Sequence, residues 1–337
     1  IGAVEPWMSG LGGGGHLLYR PANGGEVQCI SFGMVAPRAI DPSDYPLVPG
    51  TDSDLFAWPA VVDDRNVKGP HSIAVPGQVA GLALALKTFG TRSWSQSLAP
   101  AIELAEEGID VDWYATLKIA SNAADLAEFD ESRRTFLPGG YAPSADWASP
   151  LPQIKLGRLA DTLRRLADAG PQDFYQGQIA DQLVADFKLM GSRITHDDLS
   201  SYEPILRQAG WATYRGADVY VAPGFTAGPT LHNALEMLEQ RLDPSVGAIS
   251  DAYGTYVQCL VDAYEYRLST MGDVDDTESP GCTTHLCAVD AEGNMVALTQ
   301  TLLSIFGSRV MLPNTGLLMN NGMMWFDPRP GRPNSIR

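Results

Sequence analysis

Two stretches of this 337-residue chain are patterned for antiparallel β-structure, one near each end, and most of the sequence between them is patterned for helices. Near the start, the apolar runs His16–Tyr19 and Val27–Phe32 flank Asn23-Gly-Gly25, a hairpin turn. Near the end, Thr284–Val289 and Met295–Thr301 are joined by Asp290-Ala-Glu-Gly-Asn294 and read as a second hairpin. Val219–Val221, Val310–Leu312 and Gly316–Met319 are further short strand candidates. Between the ends, small residues over Val79–Leu86 predict a helix packed on all sides. Leu98–Gly108, Gln178–Met190, Thr230–Glu239 and Ala252–Ser269 are also helical, the last with tyrosines on more than one face. Leu156–Ala169 carries Leu159, Leu163 and Leu166 on one stripe and stops at Gly170-Pro171. Thr195-His-Asp-Asp198 is a helix N-cap. Residues 41–72 and 130–152 read as loops. This order predicts an α+β fold with helices layered over sheet.

Several classes are excluded. Lys and Arg number 23 against 40 Asp and Glu, a net charge of −17 with no basic block, so the chain lacks the positive face a nucleic-acid partner needs. The longest apolar run, Ile73–Leu86, is broken by Pro76, Gly77, Gln78 and Gly81, too short for a membrane span. Cys29, Cys259, Cys282 and Cys287 form neither CxxC nor a zinc spacing, and they leave the compartment open. The run Gly10–Gly15 lacks both the trailing acid of a dinucleotide fingerprint and a GK[ST], so a backbone turn is favoured over a phosphate cradle. Asp273–Glu278 lacks the Gly and the final Glu of an EF-hand loop. No metal or organic cofactor is expected. The first residue is Ile1, without an initiator Met, and both termini read as processed or cut.

A search for a nucleophile narrows to one segment. There is no G-x-S-x-G, the five histidines (16, 71, 196, 232 and 285) have no strand–turn–helix serine, and no carboxylate pair stands out. In Gly281-Cys-Thr-Thr-His-Leu-Cys287, Thr283 opens a strand, which is ordinarily no more than good β-propensity. Chemistry offers another use. A threonine hydroxyl is activated by the α-amino group of the same residue once that amine is freed, and its pKa of roughly 8 suits neutral pH. That requires scission between Cys282 and Thr283, and the acidic, proline-containing stretch Asp275–Pro280 just ahead would form an accessible loop.

The run Thr283–Thr301, with Phe306-Gly-Ser308, Gly316–Asn321 and Pro330–Asn334, resembles the start of the small subunit of γ-glutamyltransferases. Val4-Glu-Pro6 with Ser9–Gly15, Ala74–Gly81, Pro100–Gly108 and Asp173–Gly177 are similar to the large subunit, in the family's order. The resemblance implies an Ntn-hydrolase with a four-layer αββα sandwich. It implies one precursor cut into a large-subunit region, 1–282, and the start of a small subunit, 283–337, with the processed heterodimer free to form a homo-oligomer. Thr283 would attack the preceding carbonyl, be freed, and then attack the amide of a small-molecule substrate; water or an amine acceptor would resolve the acyl-enzyme. Thr301 matches the family's supporting threonine. The family's oxyanion-holding Gly-Gly pair would fall beyond Arg337, and the stretch between Met271 and Gly281 is shorter than the family's.

The departures bear on specificity. The family's head-group Arg, in Phe-Arg-Glu, is replaced by Gly33; the Asn two residues past the second threonine by Leu303; and the Gln and Asp after the Asn-Asn pair by Gly322 and Trp325. The ion pairs that would offset burial of an amino-acid head are absent at these places, and Leu303, Met323, Met324 and Trp325 are apolar. The expectation is a pocket for a less polar acyl group than γ-glutamyl, as in the related cephalosporin acylases. The alternatives are a true γ-glutamyltransferase whose carboxylate contact comes from Arg309 or Arg38, or a catalytically silent relative.

Overall fold

The computed structural model describes residues 1–51, 59–146, 148–243, 245, 250–270, 282–331 and 335. The expected first hairpin forms as β1 (Gly14–Arg20) and β2 (Gln28–Phe32). A small ribbon, β3 (Leu47–Thr51) with β4 (Pro59–Val61), occupies part of the stretch read as a loop. Then come α1 (Gln78–Phe89), α2 (Trp94–Glu107), β5 (Ile109–Asp110), α3 (Trp113–Ser121), α4 (Ala123–Ala127), α5 (Asp130–Phe136) and β6 (Gln153–Ile154). The helical run continues through α6 (Leu159–Ala169), α7 (Asp173–Gln176), α8 (Gln178–Met190) and α9 (His196–Ser200). Three strands follow, β7 (Ile205–Gln208), β8 (Gly210–Tyr214) and β9 (Ala217–Val221), then α10 (Ala227–Arg241) and α11 (Ser250–Thr270). The second hairpin, β10 (Cys282–Val289) and β11 (Met295–Leu303), comes last.

Both hairpins join one antiparallel sheet in the order β10-β11-β1-β2-β7, so the two ends of the chain meet at the β1–β11 pair. Glycine makes that meeting possible. A Cβ on Gly13 would lie 2.2 Å from the Thr301 carbonyl oxygen, and one on Gly15 would lie 2.1 Å from that of Thr299. The glycine run is therefore a close-approach surface against the opposite end of the chain. The Gly13 carbonyl also accepts the first free N–H groups of α1, from Gly77 at 2.9 Å and Gln78 at 3.0 Å.

Strand alternation gives the sheet two faces. Leu17, Ile30, Phe32 and Leu298 pack under Leu82, Leu84, Ala85 and Phe89 of α1. The other face carries His16, Ser31, Thr299 and Thr301. A larger core lies among the helices, where Leu159, Leu163 and Leu166 of α6 are buried on the expected stripe beside Phe136, Phe174, Phe187 and Phe306. Burying each such leucine is worth roughly 1.5–3 kcal/mol, so packing and not propensity holds α6.

Several expectations need correction. α1 is buried at Gln78, Val79 and Gly81 but only half-buried over 82–86, because its outer side faces away from the sheet. The 130–152 stretch begins with α5, whose Asp130 and Glu131 in the first turn and Arg133 and Arg134 in the last complement the helix dipole. α3 and α4 were not anticipated at all. Val310–Leu312 and Gly316–Met319 are not strands; they meet through one bridge, Met311 to Leu318. Asp273–Glu278 and Asp275–Pro280 lie outside the described residues, as does most of Pro330–Asn334.

A Cβ on Gly81 would come within 2.1 Å of the buried Phe32 ring. Gly81→Ala should therefore lower stability by roughly 1–3 kcal/mol by overpacking, outweighing the gain of about 1 kcal/mol in helix propensity. Urea unfolding reads the sign; a more stable variant would mean that Phe32 yields.

Candidate active site

Thr283 and Thr301 come together at an irregularity in the β10–β11 ladder. Cys282 pairs with Leu303 and Thr284 with Gln300, so two steps along β10 face three along β11. The extra residue is a bulge on β11, which re-aims side chains locally. Thr283 Oγ1 lies 3.4 Å from Thr301 Oγ1, and Thr301 Oγ1 also accepts the Leu303 N–H at 2.8 Å. Thr283 is exposed and Thr301 buried, so one hydroxyl can be reached while its partner is held in place.

The chain beyond Thr301 is strained and tightly tied. Leu303, Phe306 and Arg309 have φ of 86°, 61° and 64°, a left-handed region that costs a residue with a Cβ of order 1 kcal/mol or more. All three are buried, which over-determines the conformation. Two buried amides stitch the segments together. Asn320 accepts from the Ala74 and Gly322 N–H groups and donates to the Gly12 and Ala74 carbonyls. Asn321 accepts from the Ser304 N–H and donates to Val67 O and Ser304 Oγ.

Among the residues expected to line a pocket, Leu303 is 4% exposed and packs with Val67 and Met324, and Trp325 lies against that cluster. Trp325 also borders the cluster of Met34, Tyr45 and Met323. Gly33 is half-buried, its carbonyl accepts the Tyr202 hydroxyl at 2.8 Å, and a Cβ there would meet nothing within 4 Å. Gly322 sits differently. A Cβ there would lie 2.9 Å from the Ala74 Cβ and 3.0 Å from the Met34 Cβ, so this glycine fills packing space between two segments. The expected autocleavage position, Cys282, opens β10, and its side chain lies outside the described residues. Arg309 is committed elsewhere, with Nη1 donating to Gly307 O at 2.6 Å and Nε 3.6 Å from Asp125. Arg38 is exposed, and its backbone N–H donates to Asp198.

A γ-glutamyltranspeptidase family model matches residues 1–282 and 261–337, together the whole chain. The chain belongs to the γ-glutamyltranspeptidase family. It is 32% identical to the acylase ACY 1 proenzyme of Pseudomonas sp. (strain V22), covering 99% of this chain and 64% of that protein. It is 27% identical to the glutathione hydrolase proenzyme of Escherichia coli (strain K12), covering 99% of this chain and 62% of that one. The chain thus spans somewhat under two thirds of these relatives' length. The cephalosporin acylase from Bacillus halodurans shares the fold, with a TM-score of 0.81 and 23% identity over 99% of this chain and 65% of that one. The γ-glutamyltranspeptidase of Helicobacter pylori superposes with a TM-score of 0.69 and 27% identity over 83% of this chain and 76% of that one. The expected α+β fold of the Ntn-hydrolase type therefore stands.

Sequence reasoning missed the contacts around the threonines. Ser9, Glu5 and Thr284 form one chain of hydroxyl and carboxylate groups, and Gln78 Nε2 donates to Gln300 Oε1 at 2.6 Å. Nothing local marks these pairs, because their partners are more than two hundred residues apart.

On the Thr301 face of the sheet, His16 pairs with Ser31 at 3.2 Å, and burial, with Arg207 nearby, lowers its pKa to about 4. The unfolded chain binds that proton near pH 6.5. Between about pH 6.5 and about 4 only the unfolded state is protonated here, so stability falls as pH drops through this window. His16→Gln should flatten that part of the stability–pH curve relative to wild type in thermal melts; parallel curves would count against a buried neutral imidazole.

Proposed function

We propose that this protein is an N-terminal-threonine amidohydrolase or acyltransferase whose nucleophile is Thr283. The observation that carries this reading is the Thr283–Thr301 hydroxyl contact of 3.4 Å, at the β11 bulge of a chain belonging to this family. In maturation, Thr283 Oγ1 attacks the Cys282 carbonyl carbon. The C–N bond breaks as a C–O bond forms, which turns the peptide into an ester and frees the Thr283 amine. Water cleaves the ester, leaving a carboxylate on Cys282. Residues 1–282 and 283–337 are then parts of separate subunits.

In turnover the freed amine takes the proton from its own Oγ1, and the oxygen attacks the substrate amide. The proton passes to the leaving amine as the C–N bond breaks, giving an acyl ester on Thr283. Water or an acceptor amine attacks this ester and regenerates the hydroxyl. Thr301, oriented by the Leu303 N–H, supports the nucleophile by hydrogen bonding.

The acyl group we assign is less polar than γ-glutamyl. Leu303 and Met324 pack with Val67 and Trp325 in one apolar cluster, and Gly33 offers no side chain. Arg309, weighed as a contact for an amino-acid carboxylate, is instead engaged by Asp125, with Nε at 3.6 Å. An acylase proenzyme among the relatives supports this reading.

Mass spectrometry of purified protein should find a new amino terminus at Thr283, and Thr283→Ala should stay uncut and inactive; turnover surviving in Thr283→Ala would end the proposal. Glutaryl anilide should be hydrolysed faster than γ-glutamyl anilide; fast turnover of the γ-glutamyl compound alone would overturn the pocket assignment. Gly33 has open space at its Cβ position and no left-handed backbone. Gly33→Arg should therefore fold and raise kcat/KM for both carboxylate-bearing anilides, γ-glutamyl and glutaryl, by roughly tenfold, the worth of one charge-assisted contact.

A further inference from the structure

Thr284, the residue after the proposed nucleophile, points to the opposite face of the sheet. There its Oγ1 donates to Glu5 Oε2 at 3.4 Å and accepts from Ser9 Oγ at 3.3 Å. Ser9 is fully buried. The backbone of the same short segment grips β11 and the turn after it: Leu302 N–H donates to Met8 O at 3.0 Å and Phe306 N–H to Trp7 O at 2.8 Å. Leu302 lies within the bulge, so its N–H turns from the β10 ladder to this segment. One stretch, Glu5 to Ser9, therefore holds β10 by side chains and β11 by main chain at the level where Thr283 and Thr301 meet.

We propose that Glu5, with Ser9 and through Thr284, is a positioning residue that sets the Thr283–Thr301 spacing. This rests on the reading of Thr283 as nucleophile. In the uncut chain Cys282 restrains Thr283 on one side. After scission that restraint is gone, and the first residue of an edge strand frays unless its neighbour is anchored. Thr284 is that neighbour, and a carboxylate accepting its hydroxyl is a stronger anchor than a neutral acceptor. Misplacing a nucleophile by about 1 Å can cost on the order of 100-fold in rate while leaving substrate binding intact.

The test uses the full-length protein and the anilide that wild type hydrolyses fastest, with scission followed by mass and folding by thermal melting. Thr284→Val and Glu5→Ala should fold and be cut, with kcat lowered roughly 10- to 100-fold and KM within about twofold. Thr284→Ser and Glu5→Gln, which keep a hydroxyl and an acceptor, should recover most of the loss. Wild-type kcat in both Thr284→Val and Glu5→Ala, beside an inactive Thr283→Ala, overturns this inference and leaves the nucleophile standing. Activity persisting in Thr283→Ala overturns the nucleophile reading itself. Equal losses in Thr284→Val and Thr284→Ser, with lowered melting temperatures, also overturn the inference, because the hydroxyl would then not be what matters.

Discussion

The pairing of β1 with β11 is the contact on which the rest of the structure depends. It joins residues 14–20 to 295–301, nearly the full length of the chain apart, and does so at a separation that any side chain on Gly13 or Gly15 would prevent. The glycines carry an entropic cost in the unfolded chain, and the backbone ladder with the apolar layer under α1 offsets it. The same glycine run presents the carbonyl that receives the first amides of α1. A short low-complexity stretch thus seats both a sheet and a helix, and fixes where Thr301 stands.

Around that threonine, strain and satisfaction are balanced closely. Left-handed Leu303, Phe306 and Arg309 are unfavourable locally, and only burial and bonding keep them there. Asn320 and Asn321 use both their donors and acceptors on main-chain or hydroxyl partners, so their burial leaves no amide unpaid by a hydrogen bond. Leu303 stands where the resemblance led to an expectation of asparagine. A left-handed backbone suits asparagine, and here a leucine adopts it because Val67 and Met324 enclose the side chain.

Much of this was legible in the sequence. The two hairpins, the α6 stripe, α8 with its Gly191 end and the Thr195 cap follow from local pattern, since periodicity, turn residues and caps act within a few positions. α3 to α5 were hidden because they are short and α3 presents an exposed Trp113; a cap at Asp112 and buried Ala115 and Ile119 define it instead of a long apolar period. Thr283 was singled out by chemistry and resemblance together, and Thr301 by resemblance alone. The bulge that brings them into contact was not, because register is set by long-range pairing. Gly322 illustrates the limit: a position in a motif says which residue is present, and only packing says whether it faces a cavity or a neighbour.

The strand order has a consequence for how such a molecule is made. β11 and all of β10 but its first residue follow the Cys282–Thr283 bond, and three strands, β1, β2 and β7, lie before it. While the backbone is continuous, closing the sheet is a search within one tethered chain. Once divided, the same pairing becomes an encounter between two molecules, each with a bare edge open to wrong partners. On the scission proposed before Thr283, assembly would come first and division second, and a divided chain that lost its shape would have no easy way back.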